Sequence, residues 1–222
     1  MTSVVRWCGA GRTMALMNTE VTDELLSTTR AVRRRLDLER PVDHDVLLQC
    51  LRLAVQAPTG SNRQGWRWLV VTDDDKKRRL AELYREGGEA YLRRSAEAAE
   101  GDQQRRVYGS AIYLLENLHR VPVMVIPCIQ GRPPEGNAAG FYGSIFPAVW
   151  SFQLALRSRG LGLALTTLHL RREAEAARLL AVPGDVTQVG LLPVAYTKGT
   201  DFRPADRGPV EEITYWDAWS QQ

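Results

Sequence analysis

The chain has 222 residues, 44% apolar and 25% charged, which is enough to bury one substantial core and fits a single domain. A formal charge of +3 is too small to imply a nucleic acid or an anionic membrane surface as partner, so any basic function must be local. Cys8, Cys50 and Cys128 lie far apart without C-x-x-C spacing, which argues against a disulfide framework or a zinc site and for a reducing, cytoplasmic setting; no stretch reaches the roughly 20 apolar residues of a membrane span.

Residues 1–17 carry Arg, Gly and Thr without periodicity and are expected to form a disordered tail, with Met14 and Met17 as alternative starts and the domain occupying 18–222. Asp23-Glu24-Leu25-Leu26 opens a helix expected to run toward Arg35-Leu36. The arginines from Arg30 to Arg35 read either as a solvated basic face or as a phosphate clamp, because guanidinium forks match phosphate oxygens in pairs. Asp43 is an expected N-cap for a second helix whose apolar stripe is Val46, Leu47, Leu51, Ala54 and Val55, closed by Pro58.

The following loop carries Thr59, Asn62 and Gln64 among turn residues. It reads as a connection that satisfies its own backbone, or as the edge of a site for a flat, polar-edged heterocycle. Trp66 and Trp68 anchor it, and a strand is expected over 68–72. Asp73-Asp74-Asp75 then caps a charged helix with Leu80, Leu83 and Tyr84 on it, and the polar stretch from Gly87 to Arg106 reads as an exposed excursion, irregular or helical, covering a pocket or shaping partner contacts.

Continuous apolarity over Pro122–Ile129 predicts a strand covered on both faces, and Gly131–Gly140 a loop. Phe141–Arg159 reads as one long helix, apolar nearly all round and so buried centrally or at a subunit interface, with Gly160 as a left-handed cap. Further elements are a strand over 162–168, a helix over 171–181 and a strand over 188–196. Thr166 and Thr167 are, by themselves, ordinary strand formers, and Arg207 an ordinary loop residue. Trp216 and Trp219 are too apolar to leave in water and are expected to pack on a second subunit. His44, His119 and His169 are isolated, and no Ser-His-Asp or Cys-His constellation and no metal site is evident.

Ala57-Pro58-Thr59-Gly60-Ser61-Asn62-Arg63-Gln64-Gly65-Trp66 resembles the A-P-S-x-x-N-x-Q-P-W loop of the FMN-dependent nitroreductase family, with Thr59 in the Ser position and Gly65 in place of Pro. Thr29-Arg30-Ala31-Val32-Arg33 resembles the family's R-R-S-V-R, although Thr29 replaces an Arg, Ala31 lacks the Ser hydroxyl, and Arg34 or Arg35 is left to compensate. Leu165, Thr166 and Thr167 fall on the family's ring-contacting positions, as in its deiodinase-like branch, and Arg207 on the basic residue before a Pro in the segment that follows its last strand and returns to the FMN phosphate. These segments occur in the family's own order between about residues 25 and 215, and are also similar to actinobacterial-type members.

The resemblance implies an α+β fold with a mixed, mostly antiparallel sheet flanked by helices, built as an intertwined homodimer with FMN at the interface. It implies cofactor contacts from Arg30, Ala31, Arg33, Thr59, Asn62, Gln64, Leu165, Thr166, Thr167 and Arg207, with Thr167 tuning flavin N5 and no catalytic side chain besides. The implied activity is transfer of hydride from NAD(P)H through FMN to a small organic acceptor, such as a nitroaromatic or quinone. Alternatives within the family are a reductive dehalogenase, an ene-reductase or a non-catalytic FMN-binding protein. A basic nucleic-acid-binding module is the remote alternative, opposed by the low net charge and the lack of a helix-turn-helix or zinc pattern.

Overall fold

The computed structural model describes residues 18–219, so the expected N-terminal tail lies outside the described residues. Helix α1 (Thr19–Thr28) starts where the Asn18 side chain accepts from the Val21 N–H. It stops at Thr29, not near Leu36: the Thr28 and Thr29 hydroxyls turn back on the Glu24 and Leu25 carbonyls, and the chain becomes extended. The next residues pair with the sheet, Val32 N–H donating to Leu163 O and Asp37 N–H to Tyr196 O, each at 2.8 Å. Val32 and Leu36 are buried by that pairing, which outweighs the helix propensity of a segment rich in Arg, Ala and Leu.

Asp43 caps α2 (His44–Ala54) as expected, accepting from the Asp45 N–H, and the helix buries Leu47, Cys50 and Ala54. Strand β1 (Trp66–Val71) leads to Asp73, which caps α3 (Asp74–Glu97) by accepting from the Lys76 N–H. The stretch from Gly87 to Arg106 is helical, forming the second half of α3 and the start of α4 (Gly101–Asn117). Its first part is buried in places, at Gly87, Gly88 and Leu92, while Tyr91, Arg93 and Arg94 and residues 101–107 are exposed as expected.

Strand β2 (Val123–Gln130) is the centre of the sheet and buried along nearly its whole length. The expected long helix is two, α5 (Ala138–Tyr142) and α6 (Phe146–Arg157). Pro147 explains the break, because a residue without an N–H is tolerated in a first helical turn but not in a continuing one. Gly160 has φ +73°, the left-handed turn read from the sequence. Strand β3 (Leu161–Leu163) is shorter than expected; the chain leaves it at Thr166, bridged only to Leu191, and makes a 3-10 turn over Leu168–Arg172 before α7 (Glu173–Leu180). The last expected strand is two, β4 (Val186–Gln188) and β5 (Leu192–Tyr196).

The strand order is β1-β2-β5-β3 with β4 also on β2, and every strand pair is antiparallel; one parallel bridge joins Ala31 to Leu163. The period of two along β2 sorts its side chains into two cores. Met124, Ile126 and Cys128 pack with Leu83, Tyr84 and Leu114 of α3 and α4, while Val123, Val125 and Ile129 pack with Leu47 and Phe152 of α2 and α6. Helices therefore cover both faces, the α+β arrangement expected. No helix among the described residues is long and apolar enough to cross a membrane.

Candidate functional site

The parallel bridge of Ala31 to Leu163 lays the arginine segment beside the strand that leads into Leu165-Thr166-Thr167. A cavity of about 390 Å³ opens there, with Arg30, Ala31 and Arg33 on one wall, Arg106 and Ser110 of α4 on another, and Asp206 at the side. The Arg33 guanidinium is half-buried, and burial lowers its pKa from the ordinary arginine value. Among the described residues it donates to Ser110 Oγ at 3.3 Å, and neither it nor Arg30 has a carboxylate within ion-pair distance. A cation drawn out of water without a counter-charge is costly, so this cavity suits an anion.

The neighbouring arginines brace the fold instead. Arg34 donates to Gly109 O at 3.1 Å and lies over the Tyr113 ring, and Arg35 pairs with Asp201 at 2.6 Å and lies over Phe202. Thr29 is buried with its hydroxyl on the Leu25 carbonyl. Arg207 is exposed and absent from the cavity wall, where its neighbour Asp206 stands.

On the strand side, both backbone groups of Thr166 bond to Leu191, at 3.0 and 2.8 Å, and its hydroxyl lies 3.0 Å from the Tyr84 hydroxyl. Thr167 is exposed, and neither its N–H nor its hydroxyl has a partner among the described residues, so it has donors to offer a ligand. Leu165 is 40% exposed beside it.

Thr59, Asn62 and Gln64 are placed elsewhere. Their loop edges a second cavity of about 380 Å³, walled by Thr59, Ser61 and Arg63 on one side and Asn137, Phe141 and Ser144 on the other, which shares no lining residue with the arginine cavity. Asn62 accepts from Gln64 Nε2 at 3.0 Å, and the Thr59 hydroxyl accepts from the Gln64 N–H at 3.3 Å. Ser61, Asn62 and Gln64 all have φ between 51° and 53°. Left-handed conformations cost about 1–2 kcal/mol in residues such as Ser61 and Gln64, though less in Asn62, and such strain collects at ligand sites.

A model of the nitroreductase family matches residues 26–196. The chain belongs to that family. Iodotyrosine deiodinase of Thermotoga neapolitana is 28% identical over 180 residues, covering 77% of this chain and 86% of the relative. Human iodotyrosine deiodinase 1 is 26% identical over 197 residues, 86% of this chain and 66% of the relative. Among solved structures, an iodotyrosine deiodinase bound to FMN and 3-iodo-L-tyrosine superposes with TM-score 0.67 at 21% identity, covering 90% of this chain and 99% of that one. The FMN- and NADPH-dependent nitroreductase NfnB of Sphigopyxis sp. strain HMH superposes with TM-score 0.63 at 20% identity, covering 89% and 99%.

In this member of the nitroreductase family, the two described cysteines are poor nucleophiles. Burial pushes the Cys128 thiol up to about 12 and raises Cys50 as well, so neither offers a thiolate near neutral pH. No group of three His, Cys, Asp or Glu among the described residues could hold a metal ion. Sequence reading overlooked Ser110, Arg106 and Asp206, which carry no motif, and treated Tyr84 as a mere helix residue.

His169 is fully buried just after the threonines, and neither ring nitrogen has a hydrogen-bond partner of good geometry, although Gln188 beside it offsets part of the cost. Burial lowers its pKa from 6.5 to about 4. The unfolded chain therefore takes up a proton that the folded one refuses, and stability present above pH 6.5 is lost as the pH falls toward 4. The loss should be about 3 kcal/mol over that window. Urea unfolding at stepped pH checks this: His169→Leu should have a shallower dependence than the parent between those limits, and an unchanged slope would refute the assignment.

Proposed function

We propose that this protein is an FMN-dependent oxidoreductase that takes electrons from NAD(P)H and delivers them to a small organic acceptor. The observation that carries the reading is Arg33, a half-buried cation without a carboxylate, paired with Arg30 on a cavity beside the threonine turn. A ligand with a phosphate at one end and a flat ring at the other fits that layout. Arg30 and Arg33 would bind the phosphate, Ala31 would let it approach the backbone, and the free groups of Thr167 beside Leu165 and Thr166 would meet the ring. Arg207 would close on the phosphate from the C-terminal segment. FMN would supply hydride transfer through its N5, so the chain's own residues bind, orient and exclude water.

A homodimer is part of this reading. The loop that carries Thr59, Asn62 and Gln64 edges a cavity separate from the arginines, so a second copy is needed for both sets to meet one cofactor. Phe146, Trp150, Leu165, Ile213, Trp216 and Trp219 are exposed on the single chain, Trp216 and Trp219 by 83% and 85%, and a partner would cover them. The domain of this reading is residues 18–222, set in the cytoplasm.

Nitroaromatics and quinones are the acceptors to expect first. A halogenated phenol is the second, because deiodinases recur among the relatives. The purified protein should be yellow, oxidise NAD(P)H and give parallel double-reciprocal lines as acceptor concentration is varied, since donor leaves before acceptor binds. Stopped-flow reoxidation by a nitroaromatic, a quinone and a halophenol would choose among acceptors. A protein that stays colourless with added FMN would overturn the reading, and one that binds FMN but ignores every donor would be a carrier.

A further inference from the structure

The Tyr84 hydroxyl has no place in the reading so far, yet it occupies an unusual position. Tyr84 is among the largest fully buried side chains, 2% exposed, on the face of α3 turned to the sheet. Its oxygen lies 3.0 Å from Thr166 Oγ1, and the Arg33 charge is close enough to act on it. Burial raises the phenol above its ordinary range, so it stays protonated and available as a neutral donor. A cation nearby favours the arrangement in which the phenol turns its lone pairs toward Arg33 and its proton toward Thr166. The Thr166 hydroxyl then has its acceptor lone pair occupied from behind, and its own proton is free to point outward from the core. Because both backbone groups of Thr166 are held by Leu191, that hydroxyl is the one donor the residue can offer.

We propose that Tyr84 is a positioning residue for the cofactor. It fixes the Thr166 hydroxyl and couples the arginine cavity to the strand that meets the ring. The inference rests on the FMN reading above, and it adds a residue from outside every matched motif. The helix is suited to the role. One turn after Tyr84, Gly87 and Gly88 bring α3 against Leu168, and Arg171 donates to the Gly87 carbonyl at 3.0 Å, so the threonine turn is backed by a rigid element.

Tyr84→Phe keeps the ring and removes the hydroxyl. With FMN bound, its two-electron midpoint potential should shift by about 20 mV, the equivalent of about a fivefold change in the ratio of affinities for reduced and oxidised cofactor and of one ordinary hydrogen bond. Thr166→Val should produce a shift of its own, and adding Tyr84→Phe to it should produce no further one. Thr166→Ser, which keeps the hydroxyl, should retain the parental potential. A parental potential in Tyr84→Phe with FMN bound, or shifts that simply add in the double variant, would overturn this inference alone. Failure of the parent protein to bind FMN would overturn it together with the proposed function.

Discussion

Arg33→Ala is expected to weaken FMN binding by about ten- to a hundredfold, corresponding to about 1.5–3 kcal/mol for charge-assisted hydrogen bonds to a phosphate. Arg30→Ala should follow closely, since both side chains line the same cavity and neither has a carboxylate within ion-pair distance among the described residues. Arg207→Ala should cost least of the three, because Arg207 is exposed and the cavity wall there belongs to Asp206. Riboflavin separates the phosphate from everything else. It should bind the parent more weakly than FMN and be nearly indifferent to all three substitutions. The free protein carries a second signature. Removing a half-buried cation that has no counter-charge relieves its desolvation, so Arg33→Met should leave the cofactor-free protein as stable as the parent or more so. Fluorescence quenching for the two ligands and denaturation without cofactor measure both effects. Equal losses for FMN and riboflavin would mean that Arg33 serves folding and not phosphate binding.

Much of this site was legible because ligand contact demands particular residue types at fixed spacing. The Thr59–Gln64 loop, the Arg30–Arg33 segment and the Leu165–Thr167 turn were singled out that way as candidates, the last two lying side by side and the first at another cavity, and the antiparallel sheet with helices on both faces followed from the same likeness. The bridge of Ala31 to Leu163 and the break between two cavities were not, since both depend on how distant segments meet. Val32 and Leu36 show why local pattern misled. Four residues apart is an even number and also about one helical turn, so both periods put the two on one face. The helix was the wrong choice because the sheet edge at Leu163 and Tyr196 supplied hydrogen bonds the sequence does not display.

Other errors had visible signals. Pro147 in an otherwise continuous apolar run marks a helix start, and reading it so would have divided 141–159 correctly. Arg207 is exposed next to Asp206, which lines the cavity, and a motif match fixes its segment more securely than the direction of its side chain. Tyr84 has no sequence signal beyond its apolar helical position. Its hydroxyl acquires meaning only when Thr166 arrives from 82 residues away.

Gly87→Ala should destabilise the protein by about 2–3 kcal/mol, with a fall in Tm of roughly 5–10 °C, although helix propensity alone predicts a gain of about 1 kcal/mol. Gly87 and Gly88 sit in the interior of α3, where glycine is the least favourable residue short of proline, so something other than helix formation has to explain them. The explanation is the approach of the Leu168–Arg172 turn. A Cβ on Gly87 would stand 2.3 Å from the Leu168 carbonyl oxygen, a backbone atom that moves only if the turn moves. A Cβ on Gly88 would stand 2.4 Å from Leu168 Cδ1, the far end of a flexible side chain, with the nearer side-chain atoms at 3.0 Å. Gly88→Ala should therefore cost less, about 1 kcal/mol or under, as rotation of Leu168 and the gain in helix propensity offset the contact. The turn starts one residue after Thr167, so Gly87→Ala should also displace the threonines and weaken FMN and riboflavin alike, the opposite of the pattern expected for Arg33→Ala. Urea denaturation at matched protein concentration and cofactor load gives the stabilities, since bound ligand or partner would otherwise mask the difference. Equal stability of the two alanine variants, or a gain in both, would show that α3 does not depend on the close approach at Gly87.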